Sequence, residues 1–260
     1  MKIVTWNVNS IKARLDTVLH WASENKPDVM LMQEIKCVDE AFPSEGFEEL
    51  GYNLAIHGQK TYNGVAILSK WPLEDIVMSL GGEDLEARYL EAVTGPYRVA
   101  SVYVPNGKST DSDRFQYKLD FMRKLEARIR EVLSYDEMCV FGGDYNIAPY
   151  QDDIFDPNLS GSDNLLCSPS EQQALRRILH VGLYDSIRML NPNHVKGSNQ
   201  IFSWWDYRGG AFHNNEGFRI DHLLLSSKAL DRLVEGGVDK ETRAQKQASD
   251  HAPVWITLQS

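Results

Sequence analysis

Five short apolar runs in this sequence each carry a carboxylate or carboxamide at one end, and that layout restricts the fold more than any other feature. Ile3-Val4-Thr5-Trp6 runs into Asn7, and Val29-Met30-Leu31-Met32 runs into Gln33-Glu34. Cys139-Val140-Phe141 passes through Gly142-Gly143 into Asp144-Tyr145-Asn146. Arg219-Ile220-Asp221-His222 leads into Leu223-Leu224-Leu225, and Ser249-Asp250-His251-Ala252-Pro253 precedes Val254-Trp255-Ile256. Apolar runs of this length, bounded by polar residues, read as buried strands. In packed sheets their polar ends can meet on one rim and build a site from both ends of the chain.

Helical patterns separate these runs. Ile11, Leu15, Val18, Leu19 and Ala22 repeat at helical spacing from Ile11 to Glu24, and Asn25-Lys26-Pro27 ends the pattern. Asp113 to Leu133 is the longest such stretch, with Phe115, Leu119, Met122, Leu125, Ile129 and Val132 on one side. Ser168 and Pro169 supply a cap and first residue for another helix. The aromatic, Gly- and Asn-rich stretch from Ser203 to Gly217 reads as a functional loop rather than core. Many strands with helices between them predict an α/β fold in which two packed β-sheets are flanked by helices. Because the polar strand ends run from residue 7 to residue 251, one domain spanning 1–260 is expected.

The three cysteines, Cys37, Cys139 and Cys167, are odd in number and show no Cys-x-x-Cys spacing, which fits a reducing compartment. A strand starting at Lys2 leaves no room for a signal peptide, and no apolar run approaches the ~20 residues of a membrane span. A soluble cytoplasmic protein with no membrane partner is expected. The formal net charge of -10 argues against a nucleic-acid partner, since neutralised phosphates supply most of that affinity. A carboxylate cluster that holds a divalent cation softens the objection. Arg114, Lys118, Arg123, Lys124, Arg128 and Arg130 bunch together, and read as a solvated helix face paired with nearby acids.

Glu34, Asp144, Asp221, Asp250 and His251, with Asn7 and Asn146, form an oxygen-rich donor set containing one imidazole. Such a set suits a hard cation, Mg²⁺ or Mn²⁺, better than zinc. Carboxylate-held hard cations typically act on phosphate esters. Tyr103, at its own strand end, could bind a phosphate oxygen or assist the leaving group. Each piece also has a plain structural reading: a surface Asp-His pair, a tight Gly-Gly turn, core tryptophans, or a Glu34–Lys36 ion pair. Their joint occurrence argues against coincidence.

The chain resembles the exonuclease III / AP endonuclease family of Mg²⁺-dependent DNA repair nucleases. The matching strings are Thr5-Trp6-Asn7-Val8-Asn9-Ser10, Gln33-Glu34-Ile35-Lys36, Asn63-Gly64-Val65-Ala66-Ile67 and Tyr103-Val104-Pro105-Asn106-Gly107. Gly143-Asp144-Tyr145-Asn146-Ile147-Ala148-Pro149, Trp204-Trp205-Asp206-Tyr207-Arg208, Arg219-Ile220-Asp221-His222 and Ser249-Asp250-His251-Ala252-Pro253 complete the set. The resemblance implies a four-layer α/β sandwich built on two mixed sheets, with the site at one end of both. It assigns Asn7, Glu34 and Asp250 to the metal neighbourhood, with Asp144, Asn146 and His251 adjoining it. Asp144 and Asn146 match the pair that activates or aligns the attacking water, and Asp221 matches the carboxylate that orients His251, which contacts the scissile phosphate or serves as base. Arg88 and Lys118 match phosphate-gripping positions, and Arg208 lies in the turn expected to enter the DNA groove. Trp204, Phe218 and Ile220 match an apolar pocket for a base-free sugar. Tyr145 stands where the family has phenylalanine, and its hydroxyl needs a partner.

The resemblance implies 3′-to-5′ exodeoxyribonuclease III and abasic-site endonuclease activity, with 3′-phosphatase activity beside them. The partner implied is double-stranded DNA with abasic sites or damaged 3′ ends, acted on by a monomer. The same core serves other phosphoesterases, and an inactive DNA-binding module is a further alternative. The Trp-Trp-Asp-Tyr-Arg loop favours DNA, and no acid or imidazole of the set is missing.

Overall fold

The structure, a computed structural model, describes residues 1–82, 86–159, 164–192 and 200–259. One six-stranded sheet comprises β1 (Lys2–Asn7), β2 (Val29–Gln33), β3 (Asn53–His57), β4 (Val65–Ser69), β11 (Leu233–Val238) and β12 (Val254–Leu258), in the order β11-β12-β1-β2-β4-β3. The second comprises β5 (Glu74–Val77), β6 (Tyr89–Thr94), β7 (Tyr97–Tyr103), β8 (Met138–Asp144), β9 (Leu183–Asp185) and β10 (Asp221–Ser226), in the order β5-β6-β7-β8-β10-β9. The first sheet therefore draws strands from both ends of the chain.

Strand direction explains why polar residues far apart in sequence share a rim. β1 and β2 run parallel with Asn7 opposite Gln33, so both end on the same side. β12 is antiparallel to β1 and starts there, just after Asp250 and His251. In the second sheet β7 and β8 run parallel with Tyr103 opposite Asp144, and antiparallel β10 begins with Asp221 opposite Asp144. β1 packs across β8 and β10, which brings the two sets of ends face to face.

Side-chain alternation builds the layers. Ile3, Leu31, Ile67, Val99, Val140, Leu223 and Ile256 fill the space between the sheets. Val4, Trp6, Met30 and Met32 face the other way, onto Val18 and Trp21 of helix α1 (Ile11–Asn25) and Phe47 of α2 (Ser44–Glu49). Ala100, Val102 and Phe141 face α3 (Asp113–Leu133) and α4 (Pro169–His180) through Phe121, Met122, Leu125 and Ile178. The result is helix, sheet, sheet, helix. Gly142 and Gly143 are strand interior rather than a turn. A Cβ on Gly142 would lie 2.5 Å from Leu31 Cδ1, and one on Gly143 1.9 Å from the Val102 carbonyl oxygen. The two sheets and β7 can approach Asp144 this closely only because both side chains are absent.

Buried polar groups tie the sheets together just beneath the rim. Gln33 Nε2 donates to Ser101 Oγ at 2.9 Å, Ser101 Oγ donates to Met32 O at 2.8 Å, and Thr5 Oγ1 donates to Gln33 Oε1 at 3.2 Å. A satisfied buried network of this kind fixes one alignment, because a slip would strand its members unpaired. Among the described residues, no helix is long and apolar enough to cross a membrane.

Candidate active site

The rim gathers its groups around two polar hubs. Asn7 Nδ2 donates to Glu34 Oε1 and to Asp144 Oδ2, each at 2.9 Å, and so joins the first sheet to the second. Asn146 donates its backbone N–H to Asp144 Oδ1 at 2.8 Å and its amide to Asp144 Oδ2 at 3.2 Å. The Asp144 carboxylate is thus held from both sides. His251 Nδ1 lies 2.9 Å from Asp221 Oδ2, while His251 Nε2 lies 3.7 Å from Asp144 Oδ2. The imidazole therefore bridges two buried carboxylates. Ser203 Oγ accepts from the backbone N–H groups of Ile220 and Asp221 at 3.1 and 3.0 Å, which pins the start of β10.

The backbone at this rim occupies unfavourable conformations. Glu34 and Asn146 both have φ of 50°, and Asn9 has φ of 45°, in the left-handed region. Non-glycine residues persist there only where their surroundings over-determine them, and such positions cluster at functional sites. Here the hydrogen bonds just described supply that constraint for Asn146.

Electrostatics separates the titratable groups. Burial works against the His251 charge, but the flanking Asp221 and Asp144 carboxylates outweigh it and raise its pKa to about 10. Burial pushes the Asp144 carboxyl up to about 7; the His251 charge opposes that shift and Asp221 adds to it. Glu34 is held below the usual carboxylate range: burial opposes its charge, but Lys36, 2.8 Å away, outweighs burial with help from Asn7 and Tyr103. Burial, with Glu34 and Asp144 close by, pushes the Tyr103 hydroxyl far up, so it stays a neutral donor.

Asp144, Asp221 and His251 offer ligand atoms that all lie within 4.8 Å of one another. Glu34 and Asp250 add two more carboxylates to the same rim, against the charges of Lys36 and His251. Four carboxylates facing two cations favour a further positive charge at the rim, and their oxygens suit a hard divalent cation.

Asn9 carries a connecting role that the sequence reading left unassigned. Its backbone N–H donates to Asn7 Oδ1 at 3.0 Å, its amide donates to Asp250 Oδ1 at 2.9 Å, and its Oδ1 accepts from Lys36. The Asn-x-Asn spacing after β1 was the available signal. Ser203 left none, since its partners lie 17 and 18 residues away.

An apolar cluster adjoins the acids. Trp204 and Phe218 rings lie 5.8 Å apart and pack with Ile220, Ala148, Ile154 and Leu166. Trp204 Nε1 donates to Asp250 Oδ2 at 3.0 Å, so this cluster and an acid of the rim are one unit. The Ser203–Gly217 stretch is not loop alone. Phe202, Trp205, Ala211 and Ala252 make a small core of their own, with Trp205 buried and half-buried Trp204 turned to the rim.

The three expected DNA-contacting cations separate. Arg208 is exposed on its turn, paired with Asp206. Arg88 is buried, with its guanidinium 4.6 Å over the Tyr103 ring and bonds to Glu86, Asn63 and the Tyr103 carbonyl. Lys118 is 0% exposed, and Glu171 and two backbone carbonyls take its ammonium. The four α3 arginines pair with acids: Arg114 with Glu86, Arg123 with Asp120, Arg128 with Glu91 and Arg130 with Glu126. The extra Tyr145 hydroxyl donates to the Phe141 carbonyl at 3.2 Å.

The model of the Endonuclease/Exonuclease/phosphatase family matches residues 4–251. Exodeoxyribonuclease III of Haemophilus influenzae is 37% identical, covering 98% of each chain. A 3′ phosphatase from Neisseria, solved bound to a product DNA hairpin, superposes with a TM-score of 0.94 at 37% identity over all of both chains. An AP endonuclease from Archaeoglobus fulgidus gives a TM-score of 0.94 at 33% identity, again over all of both chains.

Proposed function

The chain belongs to the Endonuclease/Exonuclease/phosphatase family, and from that premise we propose that it is a metal-dependent DNA repair nuclease of the exodeoxyribonuclease III type. It hydrolyses DNA phosphodiesters at abasic sites and from 3′ ends, and removes 3′-phosphates, with one centre serving all three. The observation that carries this reading is the convergence of Asp144, His251 and Asp221 with Asn7, Glu34 and Asp250 on one rim. All of these residues come from a single chain, which suits a monomer working on duplex DNA in the cytoplasm.

Glu34, Asn7 and Asp250 are the residues to hold Mg²⁺, with Asp144, Asn146 and His251 beside them; Mn²⁺ shares the donor preference. When bound, the cation neutralises phosphate oxygens and makes water easier to deprotonate. Asp144, fixed by Asn7 and Asn146, aligns the attacking water and takes its proton. His251, held toward its charged form between Asp221 and Asp144, binds the scissile phosphate as a cation. Tyr103, neutral and hydrogen-bonded at the same rim, donates toward the phosphate or the leaving oxygen. Arg88 supports Tyr103 from behind, and Arg208 meets the duplex from its exposed turn.

The test is purified protein with Mg²⁺ on labelled duplexes carrying an abasic site, a recessed end, a nick or a 3′-phosphate. Product is expected on the abasic, recessed and 3′-phosphate substrates; no product on any duplex would rule the function out. The sugar pocket is read on the same panel. Trp204→Ala should depress abasic incision more than 3′-phosphate removal while the melting transition survives. Phe218 is only 9% exposed, so Phe218→Ala should also lose about 3–5 kcal/mol of stability. A Trp204→Ala protein with a lowered melting point and an unchanged activity ratio would return Trp204 to the core.

A further inference from the structure

Lys118 and Glu171 are fully buried ionisable groups that hydrolysis as described leaves unused. We propose that Lys118 is a positioning residue that holds Asn146 against Asp144, and that it makes no contact with DNA. The proposal rests on the reading of Asn146 given above.

An ammonium has three protons to donate. Lys118 Nζ places one on the Asn146 carbonyl at 2.7 Å, one on the Asn106 carbonyl at 3.3 Å and one on Glu171 Oε1. None remains for a phosphate. Glu171 is itself fixed, because it accepts from the Ser168 and Leu166 backbone N–H groups at 3.0 and 3.1 Å and from the Ser168 hydroxyl. It closes the capping box of α4. One ion pair thus clamps α3, the loop after β7, the turn after β8 and the start of α4.

The clamp bears on a turn whose backbone and side chain both face Asp144. Asn146 is in the left-handed region, and its carbonyl is the atom that Lys118 grips. Its side chain is committed at both ends, with the amide on Asp144 Oδ2 and the Val104 carbonyl, and Oδ1 accepting from Asn106. Asn106 is in turn held by the same ammonium through its own carbonyl. Releasing the two carbonyls lets the Asn146 turn relax to a commoner conformation and carries the amide away from Asp144. The lysine stem fits under Gly107, where φ is 98° and a Cβ would lie 3.4 Å from Lys118 Cδ.

Lys118→Met keeps the stem and removes the donors, but strands the Glu171 charge. The double variant Lys118→Met/Glu171→Gln leaves no lone buried charge and is the principal test. Single-turnover cleavage of an abasic duplex should fall at least about tenfold, part of the roughly 10²–10⁴-fold that a positioned acid-base group contributes. Duplex affinity in chelator, measured across salt, should keep the wild-type slope. A phosphate contact would instead flatten the log–log slope by about 0.9 and spare turnover at saturating DNA. That result, or full turnover in the double variant, would overturn the proposal. Reductive methylation of the unaltered enzyme tests placement with no variant and no turnover. Lys118 should stay unmodified with or without DNA, whereas modification in the free protein and shielding by duplex would refute it. Because this footprint needs no catalysis, its failure is distinguishable from a wild type that is inactive on DNA.

Discussion

Asp144→Asn should lower turnover on an abasic duplex by at least about 10²-fold at saturating Mg²⁺, with the folded state intact. Positioned acid-base groups contribute about 10²–10⁴-fold, and Asp144 is the carboxylate held ready to accept the proton. Its two oxygens take three hydrogen bonds from Asn7 and Asn146, so it cannot swing aside to be replaced by a neighbour. The fold should tolerate the change for an electrostatic reason. Burial disfavours the charge on Asp144 and pushes its carboxyl up, with Asp221 adding to that shift. A neutral amide of the same shape removes that cost, although its NH₂ must face one of the present donors. Single-turnover kinetics beside a melting curve checks both halves. Near-normal turnover in the folded variant would remove Asp144 from the mechanism.

The second large effect concerns the imidazole and its carboxylate. His251→Asn should also cost at least about 10²-fold. Asp221→Asn should cost less alone, and almost nothing further once His251 is gone, because the two act as a unit. Asp221 is the strongest influence holding the imidazole charged against burial. Its replacement should therefore lower the His251 pKa and shift the declining alkaline limb of the pH profile to lower pH. Losses that multiply in the double variant, with an unmoved pH profile, would contradict the pairing.

Much of this candidate site is legible in the sequence, and the reason is topological. Asn7, Glu34, Asp144, Asp221 and Asp250-His251 each adjoin an apolar run, and buried strands must begin and end in polar residues. Which ends share a rim depends on strand direction, and a single sequence does not reveal it. The longest helix was read at its observed limits, Asp113–Leu133, because capping and a sustained 3.6-residue period agree there. The first was read one residue short of its observed end at Asn25.

Lys118 shows where such reading stops. It lies three residues after Phe115 and four before Met122, squarely on the buried stripe of α3. That spacing was visible, but a lysine is almost never fully buried unless paired. Its partner Glu171 is 53 residues away, beyond any local pattern. Trp204 and Trp205 show the same limit at shorter range. Adjacent residues on an extended segment face opposite ways, so one lines the rim while the other fills a small core. Composition cannot say which is which.

The most direct measurement is cleavage of a labelled abasic duplex by protein stripped in excess chelator, followed by metal addition. Cleavage should vanish in chelator and return with Mg²⁺ or Mn²⁺ without zinc, because the Glu34, Asp144 and Asp250 oxygens are hard donors. Undiminished cleavage in excess chelator would contradict the account.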